Sequence, residues 1–83
     1  MRLLKFEASW CGPCQKMKPV VAKIAEAHGL EVETIDIDVD QQRTLQYGVQ
    51  SVPTLVLLED DEEKARLIGA KPQSIAEKLL GLA

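Results

Sequence analysis

Cys11 and Cys14 are the only two cysteines of the 83-residue chain, and Gly12 and Pro13 alone separate them. Two thiols at i and i+3 share one helical turn, close enough to close a disulfide. Such a pair can take two electrons from, or give two to, another disulfide through a mixed-disulfide intermediate. At the start of a helix the free N–H groups and the positive end of the helix dipole favour a thiolate over a thiol. Gly12 and Pro13 hold the turn, and a proline so early in a helix forfeits no needed hydrogen bond. Cys11, at the exposed mouth of the turn, is then the attacking sulfur. Cys14, one turn inside, displaces the substrate from the mixed disulfide. As a staple the same bridge would do little, because it closes a very short loop.

Other chemistries fit these residues less well. A structural zinc site takes four protein ligands, and His28, the single histidine, falls at the far end of the same helix. No metal site is expected within one chain. Asp36, Asp38 and Asp40 share the spacing of a calcium loop, but its sixth position is Gln41 rather than glycine and its twelfth is Tyr47 rather than glutamate. They read better as strand-end and helix-capping residues. Trp10 is either a core aromatic or a contact surface for substrate; its place beside Cys11 favours the second.

These groups need a frame to position them. Residues 2–7 read as a strand, and Trp10 to Cys14 as a turn into a helix. Met17, Val20, Val21, Ile24 and Ala25 give that helix one apolar face. Gly29 stops it, and Pro19 inside it predicts a kink. A second strand is expected over residues 31–37, and a short helix over 41–47 capped by Asp40 and closed by Gly48. Thr54 to Leu58 is a continuous apolar run, as in a buried strand. The acidic stretch Glu59–Glu63 turns it into a last strand near 64–68, which Gly69 breaks. Pro72 opens a final helix with Ile75, Ala76, Leu79 and Leu80 on its apolar face. The order is βαβαββα, with a right-handed parallel βαβ unit followed by a hairpin and a helix.

Composition bounds the rest. Residues 1–83 suit one small domain, 46% hydrophobic and 28% charged. The net charge of -3 argues against a nucleic-acid partner. No apolar run approaches the roughly 20 residues that cross a bilayer, so no membrane contact is expected. Met1–Glu7 carries no apolar leader, so a cytoplasmic, reducing setting is expected, where paired cysteines are catalytic or metal-binding.

Trp10-Cys11-Gly12-Pro13-Cys14 resembles the active-site signature of the thioredoxin family at all five positions. Pro19 falls where that family kinks the same helix. Tyr47-Gly48-Val49 with Val52-Pro53-Thr54 resembles its cis-proline segment, and Gly69-Ala70 the glycine after its last strand. The likeness runs over roughly residues 3 to 80. It implies an α/β, trimmed thioredoxin fold that starts at the strand before the motif. Its four-stranded mixed sheet would be ordered 2-1-3-4, with helices on both faces. It also implies a thiol–disulfide oxidoreductase that reduces protein disulfides and is recharged by a flavoprotein resembling thioredoxin reductase. No bound cofactor would be needed, since the redox-active Cys11–Cys14 pair holds the electrons. A monomer is expected, with Trp10, Gly12, Pro13, Val52, Pro53 and Gly69 contacting substrate and a cis Val52–Pro53 bond.

Two positions depart from the family pattern. Lys5 stands where thioredoxins carry a buried carboxylate behind the second cysteine, and Thr34 where many carry a lysine. Strand alternation puts Lys5 and Glu7 on one face. Either the two pair and Glu7 relays the proton of Cys14, or both extend into solvent. A glutaredoxin-type, glutathione-dependent activity is the rival within enzymes. Against it stand Gly-Pro rather than Pro-Tyr between the cysteines, and Ala70-Lys71-Pro72 in place of a polar glycine-rich segment. A binding module with incidental thiols is the third reading.

Overall fold

Seven elements follow one another in the computed structural model, which describes residues 1–83. They are β1 (Arg2–Glu7), α1 (Gly12–His28), β2 (Glu31–Asp36), α2 (Gln41–Gln46), β3 (Thr54–Glu59), β4 (Glu62–Ile68) and α3 (Gln73–Leu79). The sheet order is β2-β1-β3-β4, with β1 and β2 parallel and β3 antiparallel to both β1 and β4. The expected α/β topology is present, and no helix is long and apolar enough to cross a membrane.

The central strands are apolar on both sides because each face is covered. Leu3, Leu55, Leu57 and Leu67 pack against Met17, Val21 and Ile24 of α1 and against Ala76 and Leu80 at α3. On the opposite face Leu4, Phe6, Ile35, Val56 and Leu58 form a second cluster, against which Tyr47, Val49 and Val52 rest. The Phe6 and Tyr47 rings meet at 5.8 Å in a tilted arrangement. Thus α1 and α3 share one face, and the α2 segment covers the other.

Local signals act where expected. Asp40 caps α2 by accepting from the Arg43 N–H at 3.0 Å. Gly29 ends α1 in the left-handed region, φ 64°, and donates its N–H to Ala25. α1 continues through Pro19 as a single helix.

Two expectations are corrected. The acidic run is not all turn: only Asp60 and Asp61 form it, with φ of 52° and 64°, and Glu62 and Glu63 belong to β4. Aspartate tolerates that conformation and so closes a two-residue hairpin. In α3, Ala76 and Leu80 face the core, whereas Ile75 and Leu79 are 46% and 51% exposed. The sheet accommodates only one row of this short helix. In β2 only Ile35 is buried; Val32 and Thr34 are exposed because they lie on an edge strand beside an open cleft.

α2 buries no residue. It is held by charge: Arg43 donates to both Glu33 oxygens, at 3.3 and 2.6 Å. Arg66 of β4 donates to the Tyr47 carbonyl at 2.6 Å and to Glu63 at 2.8 and 2.9 Å. These hydrogen bonds hold the Glu63 carboxyl below the usual glutamate range and raise both guanidinium groups above theirs.

Candidate active site

β1 ends at Glu7 on the C-terminal edge of the sheet, where open α/β sheets place their sites. The chain turns there through Ala8, whose carbonyl accepts from the Cys11 N–H at 3.1 Å. Cys11 is the N-cap of α1, in extended conformation, and its Sγ accepts from the Cys14 N–H at 3.2 Å. The Cys11 sulfur thus occupies the capping position, where an otherwise unsatisfied helix donor points at it. No acidic side chain stands in the first turn to compete with a developing thiolate.

Cys11 and Cys14 are joined as a disulfide, with Cα atoms 5.3 Å apart. With Ala8 they form a small buried cluster covered by Ile37 and Val52. The exposed mouth that the sequence suggests for Cys11 is not present in this oxidised form. Cys11 keeps only 4% exposure against 0% for Cys14, because the apolar residues of that cluster close around the bridge. Gly12 and Pro13 between them are exposed.

Around the bridge, Trp10 is 68% exposed, so it is not a core aromatic. Its indole N–H donates to Asp38 Oδ2 at 2.9 Å. Nothing in the sequence singles out Asp38 among the three alternating aspartates; only the return of the β2 end beside β1 gives it this partner. Asp36 takes the Asp38 N–H at 2.8 Å. On the other side the Val52–Pro53 peptide is cis, and the Pro53 carbonyl accepts from the Gly69 N–H at 2.9 Å. Gly69 has φ of 90°, a conformation that favours glycine. Topology therefore brings Trp10, Cys11, Cys14, Val52, Pro53 and Gly69 to one end of the sheet.

Lys5 and Glu7 pair with each other. Lys5 Nζ lies 2.7 Å from Glu7 Oε1, and the side chains are 3% and 17% exposed. Lys5 is therefore buried rather than extended into solvent. The pair lines an open cleft of about 330 Å³ between α1 and β2 together with Lys18, Val21, Ala22, Val32 and Thr34. Neither cysteine lines that cleft. No three His, Cys, Asp or Glu side chains converge to form a metal site.

Comparison with known proteins agrees with this geometry. The thioredoxin family model matches residues 1–80. The thioredoxin of Alicyclobacillus acidocaldarius is 40% identical over 80 residues, spanning 94% of this chain and 76% of that protein. A solved mutant thioredoxin from Halobacterium salinarum superposes with a TM-score of 0.87 at 40% identity, covering 95% of this chain and 70% of that one. Mitochondrial thioredoxin 3 from Saccharomyces cerevisiae, in its oxidised form, gives 0.85 at 29% identity, over 98% and 77% of the two chains. The chain belongs to the thioredoxin family of thiol–disulfide oxidoreductases.

Proposed function

We propose that residues 1–83 act as one domain that reduces disulfides of protein substrates, with Cys11 as nucleophile and Cys14 as resolving thiol. The observation that carries this reading is the Cys11 sulfur at the N-cap of α1, accepting the Cys14 N–H beside the Val52–Pro53 segment. In the dithiol form the helix N-terminus favours the Cys11 thiolate, which attacks one substrate sulfur. The substrate disulfide breaks, its leaving thiolate takes a proton, and a mixed disulfide to Cys11 forms. Cys14 then loses its proton and attacks Cys11 Sγ, releasing the second substrate thiolate and closing the Cys11–Cys14 disulfide. Two electrons have passed to the substrate. They are returned by a flavoprotein resembling thioredoxin reductase, in a reducing compartment such as the cytoplasm.

Substrate reaches the bridge between exposed Trp10, Gly12 and Pro13 on one side and the Val52–Pro53 and Gly69 backbone on the other. An extended peptide can add its backbone alongside Val52. No bound cofactor or metal takes part in this scheme, and the protein acts as a monomer. Insulin reduction tests it directly. Turnover with NADPH and thioredoxin reductase is the expected outcome; turnover only with glutathione and its reductase would assign a glutaredoxin-type activity instead. Activity that survives replacement of both cysteines by serine would point to a binding module.

The buried Lys5–Glu7 pair supports a role in resolution. Burying a lysine without a partner is costly, and Glu7 removes that cost while sharing a cleft open to water. The Glu7 carboxylate accepts the Cys14 proton through water. Mixed-disulfide resolution measured against pH for wild type, Glu7→Gln and Lys5→Met checks this. Slower resolution with an altered profile in Glu7→Gln is expected; an unchanged rate and profile would leave water as the base.

A further inference from the structure

Seven lysines and three arginines carry the positive charge of this chain. Every arginine has a carboxylate within 4 Å, as do Lys5 and Lys64. Among the lysines without one, Lys16, Lys18, Lys23 and Lys78 are exposed, and only Lys71 is half-buried. Its ammonium is folded back onto the backbone: a Cβ built on Gly69 would meet Lys71 Nζ at 3.3 Å. Gly69 is hydrogen-bonded to Pro53, and neighbouring Val52 packs on the cysteine cluster. A partly desolvated, unpaired cation thus stands two hydrogen-bonded segments away from the reactive bridge.

Charge is distributed unevenly about that bridge. The β2 side carries Asp36, Asp38 and Asp40, of which Asp38 is bound by Trp10 and Asp40 by α2. The β4 side, at the other end of the strand order, carries Lys71 and no carboxylate paired with it. An extended substrate lying across the site meets opposite potentials at its two ends, which fixes its direction.

We infer that Lys71 is a specificity-determining residue, which pairs with a carboxylate side chain flanking the substrate's disulfide on the Gly69 side. This rests on the disulfide-reductase reading above. The pair forms on binding and persists through the exchange step, so it lowers KM and leaves kcat alone. Salt weakens it because its surroundings are only half-buried.

The test uses the full reduced chain and two disulfide-bonded peptides identical except for Glu or Gln beside the reacting cysteine. Wild type is expected to favour the Glu peptide about three- to tenfold in kcat/KM, through KM. That preference is expected to vanish in K71Q, to return in K71R, and to fade at about 0.5 M NaCl. A preference that persists in K71Q, or its absence in wild type, would overturn the inference while leaving the reductase reading intact. If wild type reduces neither peptide, both fall. Matching melting curves of K71Q and wild type separate lost recognition from lost structure.

Discussion

The two faces of the sheet hold their helices by different physics. α1 inserts Met17, Val21 and Ile24 into a core shared with Ala76 and Leu80. α2 buries nothing and depends on Arg43–Glu33, on Arg66 at the Tyr47 carbonyl and on the Phe6–Tyr47 contact. The site straddles this division. Cys11 and Cys14 ride on the helix anchored by apolar burial, which charge screening does not weaken. Val52 and Pro53 follow the segment anchored by hydrogen bonds and charge, which salt and pH reach. The cysteine pair stands on the firmer half, and the proposed substrate surface on the more adjustable one.

The cysteines give the largest effect and ask whether the firm half supplies the nucleophile by itself. Cys11→Ser is expected to abolish exchange, whereas Cys14→Ser is expected to trap substrate covalently on Cys11. Mass spectrometry of both variants after exposure to a disulfide substrate checks this, and trapping on Cys14 alone would reverse the roles.

Packing comes next. Ile24→Ala on α1 is expected to cost about 2–5 kcal/mol, since it empties a fully buried site. Leu45→Ala on α2, where the side chain is 81% exposed, is expected to change stability by less than about 0.5 kcal/mol. Denaturant melts that showed equal costs would erase the contrast between the faces.

Arg66→Met sharpens it from the other side. Losing the donor to the Tyr47 carbonyl is expected to cost about 1–2 kcal/mol and to raise KM for protein substrates more than it lowers kcat, through the 48–53 segment. An unchanged KM in steady-state assays would show that this anchor does not reach the site.

A small effect also belongs to Glu63. Its carboxyl is held low by Arg66, so the pair stabilises the protein above the usual carboxylate range. That contribution is lost as pH falls through the lowered native value. Because Glu63 is 37% exposed, Glu63→Gln is expected to remove only about 0.2–1 kcal/mol at neutral pH. The variant is also expected to flatten the acid side of a stability–pH curve from thermal melts.

Local chemistry makes much of this molecule legible in its sequence. A dithiol turn opening a helix, an aspartate cap at Asp40, a glycine stop at Gly29 and an apolar β3 each act within a few residues, and each stands where the pattern places it. Contacts between distant segments are another matter. Periodicity marks Ile75 and Leu79 as core, but only the packed sheet shows that α3 offers one row and that β2 is an uncovered edge. Alternation puts Lys5 and Glu7 on one face; the depth of the cleft beside α1 decides that Lys5 is buried against Glu7. The Trp10–Asp38 hydrogen bond and the ammonium of Lys71 over Gly69 depend on backbone paths that no sequence spacing specifies. Helix starts, caps and redox spacing are set by neighbours along the chain, whereas burial and partner choice are set by what the fold brings across from elsewhere.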